Sequence, residues 1–308
     1  MVQRITAVAA LLIASGCQCK PAIPDDHQDP DDTATEDTAP PPETGDTGPE
    51  PVAGPCTLTE VEPNDLPENE MALPLETYVC GEFSTGADFD RYRVVLEEDG
   101  WLGLYVDAAL RGSFADVLLT VTSDVGASAE RDDDDAICDA HLVVPAPAGT
   151  YSLFVVEQNL AGGEEFFYEL LATVAKDPFA ETSSEVEPNG DSGAASVVAG
   201  GQQVAGRIDS VGDQDWFKIL VPAGKQHVVV DVEAYGLGSP ANLTLFAYEA
   251  GLGQGPRAVA NGLAGNGTDP YWSFDSNGNE TLWFRLEELG SKGGSAWWYG
   301  LVVTVEAQ

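Results

Sequence analysis

From Cys56 onward, apolar positions fall in short runs of Val, Leu, Tyr, Phe and Thr separated by Gly, Pro, Asn and Asp. Within a run the alternation has period two: Trp297, Tyr299, Leu301, Val303 and Val305 oppose Trp298, Val302 and Thr304. Side chains of a strand point alternately to its two faces, so this pattern predicts strands with one face on a core. They are expected over residues 78–83, 91–96, 101–107, 116–122, 141–144, 151–157 and 166–174, then 203–208, 216–221, 227–233, 242–248, 281–287 and 297–305. No amphipathic helix of convincing length appears, and the expectation is an all-β sandwich or barrel.

The pattern runs twice. Glu60-Val61-Glu62-Pro63-Asn64 returns as Glu185-Val186-Glu187-Pro188-Asn189, 125 residues later. At the same offset, Asp88-Phe89-Asp90-Arg91-Tyr92 is echoed by Asp213-Gln214-Asp215-Trp216-Phe217. The closing strands match as well: Gly162-Gly163 through Phe166-Phe167-Tyr168 beside Gly293-Gly294 through Trp297-Trp298-Tyr299, at an offset of 131. One module used twice is the economical explanation. The expected organisation is a first module over 56–175, a joint over 176–184 and a second module over 185–308, each long enough to close its own core.

The segment before Cys56 has no means of folding. Residues 17–55 are rich in Asp, Thr, Pro, Glu and Gly, without an aromatic residue. Such a stretch cannot bury enough apolar surface to offset its chain entropy, and its like charges repel, so a disordered acidic tether is expected. Ahead of it, Arg4 and an apolar run over 5–13 read as an export signal covering 1–16; the run is far short of the about 20 residues that span a bilayer. Ala14-Ser15-Gly16-Cys17 resembles the lipobox of bacterial lipoproteins, which implies lipidation of Cys17, and Gln18 implies the outer membrane. An ordinary secretory signal cleaved near Ala14 or Gly16 is the alternative. The expected localisation is exported and held to the membrane through the Cys17 lipid, whose buried CH₂ groups contribute about 0.8 kcal/mol each.

Net charge is −39, with 52 acidic against 13 basic residues. Nucleic-acid binding needs a basic surface and is excluded. The repeated acidic and amide residues are ligand types for a hard cation rather than a nucleophile and its base.

The order Glu-x-Glu-Pro-Asn, then Asp-x-Asp on a strand, then turns such as Val221-Pro222-Ala223-Gly224-Lys225 and Pro145-Ala146-Pro147-Ala148-Gly149, resembles the bacterial pre-peptidase C-terminal domain. The resemblance covers both modules and implies two tandem jelly-roll-like β-sandwich domains, related to the collagen-binding domains of clostridial collagenases. In those relatives the opening segment and the later strand hold calcium. Carried over by position, this implies a structural calcium on Glu60, Glu62, Asn64, Asp65, Asp88 and Asp90, and another on Glu185, Glu187, Asn189, Asp213 and Asp215. Gly190 stands where Asp65 stands, which removes one ligand from the second set; Asp191 is its neighbour. Solvated turn-forming residues are the competing reading.

Five cysteines fit an oxidising compartment. Cys56, Cys80 and Cys138 belong to the first module, with Cys80 expected to pair with Cys56 or Cys138. The Arg131–Asp135 run reads as a hydrated loop, and Trp297, Trp298 and Tyr299 as core rather than a sugar site. The chain holds only His27, His141 and His227 and no Gly-x-Ser-x-Gly or His-Glu-x-x-His. The expectation is a non-catalytic protein that binds an extracellular protein or polysaccharide, or serves as a spacer. A hydrolase or hydrolase accessory with an unrecognised acidic site is the alternative.

Overall fold

The structure is a computed structural model and describes residues 56–125, 128–131, 139–248, 252, 255–260 and 269–308. The export signal, Cys17, the tether, His27, Asp132–Asp135 and Cys138 lie outside the described residues. The chain is nearly all β, with short 3-10 turns and no α-helix among the described residues.

The first half runs β1 (Leu58–Thr59), β2 (Met71–Ala72), β3 (Thr77–Glu82), β4 (Phe89–Leu96), β5 (Gly100–Asp107), β6 (Val117–Ser123), β7 (Ala129–Arg131), β8 (His141–Ala146), β9 (Gly149–Glu157) and β10 (Phe167–Ala175). They form two sheets, ordered β1-β3-β10-β5-β8 and β2-β4-β9-β6-β7. Alternation builds the core: β4 turns Asp90, Tyr92, Val94 and Leu96 inward and leaves Arg93 and Val95 outside. Both sheets feed one buried cluster, with Val79, Leu104 and Leu170 from one and Val94, Leu119 and Leu153 from the other. Each fully buried aliphatic side chain contributes about 1.5–3 kcal/mol, so this shared interior is what holds the layers together.

The second half comprises β11 (Ser183–Ser184), β12 (Ser196–Val197), β13 (Gln203–Arg207), β14 (Gln214–Glu233), β15 (Leu243–Tyr248), β16 (Arg257–Ala260), β17 (Tyr271–Glu288) and β18 (Trp298–Ala307). Here one continuous sheet, β11-β13-β18-β14-β17-β15-β16, encloses its own core, and β12 pairs with β14. The expected strands 216–221 and 227–233 are a single strand, and 281–287 is the second part of another. Residues 222–225 do not form the turn expected there. The β14–β17 register shifts between Ala223 and Gln226, with Gly224 at φ 95° and Gly278 at φ 78°. A Cβ on Gly278 would lie 2.1 Å from the Gly224 carbonyl oxygen, so the two strands cross closely and bend together instead of ending.

The halves are packed against one another. Trp298 donates from Nε1 to the Val143 carbonyl at 2.8 Å and meets Trp101 and Phe179 edge-on. Val143 N–H donates to the Gly238 carbonyl at 2.8 Å. Arg131, 4% exposed, donates to the carbonyls of Tyr235 and Ser239 at 2.8 and 3.0 Å and lies 3.6 Å over the Tyr235 ring. Tyr299 faces the second core as expected, Trp298 serves the junction, and Trp297 touches both cores.

Candidate metal centres

In each half the opening segment leaves a short parallel strand and turns back over the end of the sandwich. Glu60 N–H donates to the Cys80 carbonyl at 2.9 Å, and Glu82 N–H donates to Glu60 Oε1 at 2.6 Å. The second half repeats this with Glu185 N–H on the Ala205 carbonyl at 2.8 Å and Arg207 N–H on Glu185 Oε1 at 2.7 Å. The Glu62-Pro63 and Glu187-Pro188 peptides are both cis. Next to them Asn64 N–H donates to Glu62 Oε2 at 3.0 Å, and Asn189 N–H to Glu187 Oε2 at 2.9 Å.

This path lays the acidic residues over the first inward position of the long strand. Carboxylate oxygens of Glu60, Glu62 and Asp90 lie within 4.8 Å of one another, as do those of Glu62, Asp65 and Asp88. Glu185, Glu187 and Asp215 form the matching cluster of the second half. Oxygens bound to calcium at about 2.3–2.6 Å stand no more than about 5 Å apart across the ion, so these groups are sized for it. The donor set is all oxygen, which suits a hard cation.

Asp90 and Asp215 are the innermost members, both fully buried. One oxygen of each is held by a tyrosine: Tyr168 donates to Asp90 Oδ2 and Tyr299 to Asp215 Oδ2, both at 2.6 Å. The other, Oδ1, has no partner in either half. The Oδ1 atoms of Asn64 and Asn189, also fully buried, are equally unpartnered. Buried polar atoms are almost always bonded, so the equivalent orphan oxygens in both copies are free to take a ligand.

Burial, reinforced by the neighbouring Glu60, pushes the Asp90 carboxyl up to about 8. Burial and Glu185 push Asp215 up to about 9, and burial raises Glu185 to about 7. Glu60 and Glu62 are also raised by burial, against hydrogen bonds that favour their charged forms. Among the described residues no Lys or Arg is paired with Glu60, Asp90, Glu185 or Asp215. These carboxylates therefore share protons unless a metal replaces them.

The two sets differ. Asp65 belongs to a first-half cluster and accepts from Phe89 N–H at 3.3 Å, whereas Gly190 offers nothing. Asp191 does not replace it, because its Oδ1 accepts from Gly193 and Ala194 N–H at 2.7 and 3.0 Å. Asp213 joins no cluster, and its oxygens take Asp209 and Gln214 N–H at 2.7 and 3.0 Å. Tyr92 donates to Glu60 Oε2 at 3.1 Å, and Phe217 takes its place in the second half. There Asn189 Nδ2 donates to Glu185 Oε2 at 2.9 Å instead.

Tyr92, Tyr168 and Tyr299 were not among the expected site residues. Tyr168 and Tyr299 close the two matched aromatic motifs, and that coincidence was the available signal. Cys56 and Cys80 form a disulfide in the first half. Of the histidines, His141 stacks on Tyr105 and His227 pairs with Asp275 at 2.8 Å at the surface. A cleft of about 340 Å³, lined by Trp101, Phe179, Trp298, Glu185, Glu187 and Arg207, lies between the halves beside the second cluster.

No protein-family model matches the chain. No curated protein matches it. Among solved structures, the pre-peptidase C-terminal domain of a collagenase from Bacillus anthracis is 16% identical over 36% of this chain and 100% of that one, with a TM-score of 0.28. The tandem CBM51 modules of a family 98 glycoside hydrolase from Streptococcus pneumoniae are 9% identical over 73% of this chain and 83% of that one, with a TM-score of 0.24. A tandem CBM22 domain from Paenibacillus barcinonensis is 13% identical over 71% and 82%, with a TM-score of 0.21. The class that fold and site define is a β-sandwich protein with a buried carboxylate cluster at the mouth of each half.

Proposed function

We propose that this chain is an exported, lipid-anchored, non-catalytic binding protein whose two sandwiches are each closed by a structural calcium ion. The observation that carries the reading is the paired orphan oxygen: Asp90 Oδ1 and Asp215 Oδ1, both buried and both unpartnered, at equivalent places. Bound calcium would supply positive charge among carboxylates that otherwise repel one another. Glu60, Glu62, Asn64, Asp65, Asp88 and Asp90 would hold it in the first half, and Glu185, Glu187, Asn189 and Asp215 in the second. Asp213, the counterpart of Asp88, is the remaining expected ligand; it belongs to no three-residue cluster because Gly190 stands where Asp65 completes one in the first half.

Anchoring through Cys17 and presentation on the acidic tether would place the pair away from the membrane surface. Among the described residues no helix is long and apolar enough to cross a bilayer. An extracellular protein or polysaccharide is the expected partner. The test is differential scanning calorimetry of the exported chain in EDTA and in millimolar calcium. Calcium should raise the melting temperature, and Glu60→Ala or Asp88→Ala should remove the first half's share of that gain. A melting curve indifferent to calcium overturns the metal reading.

A further inference from the structure

Strands β14, β17 and β15 carry three outward rows opposite the second core. Cross-strand register aligns Gln214 with Glu287 and Thr244, Trp216 with Arg285 and Phe246, and Lys218 with Trp283 and Tyr248. The intervening residues Phe217, Phe284, Leu245 and Leu282 point into the core, so these rows lie on the other face.

The first half supplies an internal control. Its corresponding rows hold Phe89, Val156 and Leu118, then Arg91, Phe154 and Thr120, then Arg93, Ser152 and Thr122. A cation–π pair is kept with its partners exchanged, Arg91 lying over Phe154 at 4.4 Å and Arg285 over Trp216 at 5.7 Å. Phe246, Tyr248 and Trp283 replace two threonines and a serine. The sandwich closes without them in one copy, so folding does not call for this aromatic set in the other.

Its arrangement is organised. Trp216 stacks on Tyr248 with centroids 5.1 Å apart; both are buried in a cluster with Ala195, and the half-buried Phe246 and Trp283 pack against it. Arg285 lies 4.1 Å over Phe246. Glu287 receives Arg285 at 3.3 Å and the Gln214 amide at 2.9 Å, which holds planar polar groups beside the rings. Three donors have no acceptor: Trp216 Nε1, Thr244 Oγ1 and Arg285 Nε. Trp216 and Thr244 are 8% and 5% exposed, and an unmade bond at such depth is costly.

We propose that this face is a platform for an uncharged polysaccharide, stacking sugar rings on Phe246 and Trp283 and engaging hydroxyls through Arg285, Gln214 and Glu287. A sugar brings apolar ring faces together with hydroxyls that pair with guanidinium, amide and carboxylate groups, the combination this face presents. The net charge of −39 opposes a polyanion. The inference rests on the binding-protein reading and names its ligand class; it does not depend on the carboxylate clusters.

Affinity electrophoresis tests it, running the exported chain through native gels that contain xylan, mixed-linkage glucan, hydroxyethylcellulose or galactomannan. At least one should retard it. The double substitution Phe246→Thr with Trp283→Ser, which installs the first half's own residues, should weaken retardation about tenfold or more. Trp283→Phe should keep most of it, and Phe154→Ala should leave it unchanged. Melting curves of each variant confirm folding. No retardation in any neutral gel, retardation only by polygalacturonate, or an unaffected double variant overturns the proposal. A chain that responds to calcium without binding sugar overturns the platform alone; one that binds sugar but ignores calcium overturns the metal reading alone.

Discussion

Tyr299 lies across Gly206, its cross-strand partner, so closely that a Cβ at position 206 would fall 2.2 Å from the ring's Cζ. Tyr168 stands over Gly81 in the same relation, again at 2.2 Å. The missing side chain is what lets each phenol reach its buried aspartate, Asp90 from the opposite sheet of the first half and Asp215 from another strand of the second half's continuous sheet. Gly206→Ala should therefore move Tyr299 off Asp215, destabilise the second half by about 1–3 kcal/mol, and abolish its calcium response. Gly100→Ala, whose nearest non-neighbouring atom would be 4.0 Å away, should be close to silent. Calorimetry of the three proteins checks both.

Asp215→Asn should have opposite effects with and without metal. The amide keeps an acceptor for Tyr299 but needs no proton taken up to stay neutral, which the buried Asp215 carboxyl beside Glu185 does need in the absence of metal. In EDTA the variant should melt higher than the parent, by at least about 2 °C. In calcium it should gain nothing in the second half, so the order of the two melting temperatures reverses.

The same burial sets a pH dependence. Asp90, Glu185 and Asp215 have folded values raised to about 8, 7 and 9, above their unfolded ones. The folded chain thus binds more protons than the unfolded chain between about pH 4 and 9, and its metal-free stability is present at the acid end and lost as pH rises through the folded values. Melting temperature in EDTA should fall from pH 5 to pH 9. Calcium must displace these protons, so its stabilising effect should grow over that interval.

Gly190→Asp should strengthen the second centre. A Cβ there would have only the Gln214 carbonyl oxygen within 4 Å, at 3.8 Å, so the side chain has room. It would restore the carboxylate that Asp65 provides in the first half. Isothermal titration should show calcium affinity rising about three- to tenfold, since charge count tunes such sites. Asp191→Ala should not change affinity, because that carboxylate caps a turn.

Arg131→Ala should uncouple the halves. The guanidinium holds two carbonyls of the other half and its Tyr235 ring, so removal leaves buried acceptors unpaired, at a cost of about 2–4 kcal/mol. One joint melting transition in the parent should separate into two in the variant.

Much of the candidate site was legible because it was written twice. Glu60, Glu62 and Asp90, with Glu185, Glu187 and Asp215, stand out as repeated residues at a fixed offset. The glycine of the second copy was visible for the same reason. Asp213 and Asp191 were less readable: only the path of the backbone decides whether a carboxylate turns toward a cluster or caps its own loop. The continuity of β14 was missed because Pro222 and Gly224 read as a stop, whereas one register shift between Ala223 and Gln226 lets it bend together with β17.

By itself, the sequence determined the class of fold, through period-two alternation, and the likeness of the two halves, through their shared motifs. Tertiary structure decided which oxygens are buried without partners and that Cys56 pairs with Cys80. It also decided that Arg131 reaches across to Tyr235, and that Trp216, Phe246 and Trp283 share an outer face. The physical reason is that alternation is local, while burial, partner geometry and close approach depend on residues brought together from distant parts of the chain.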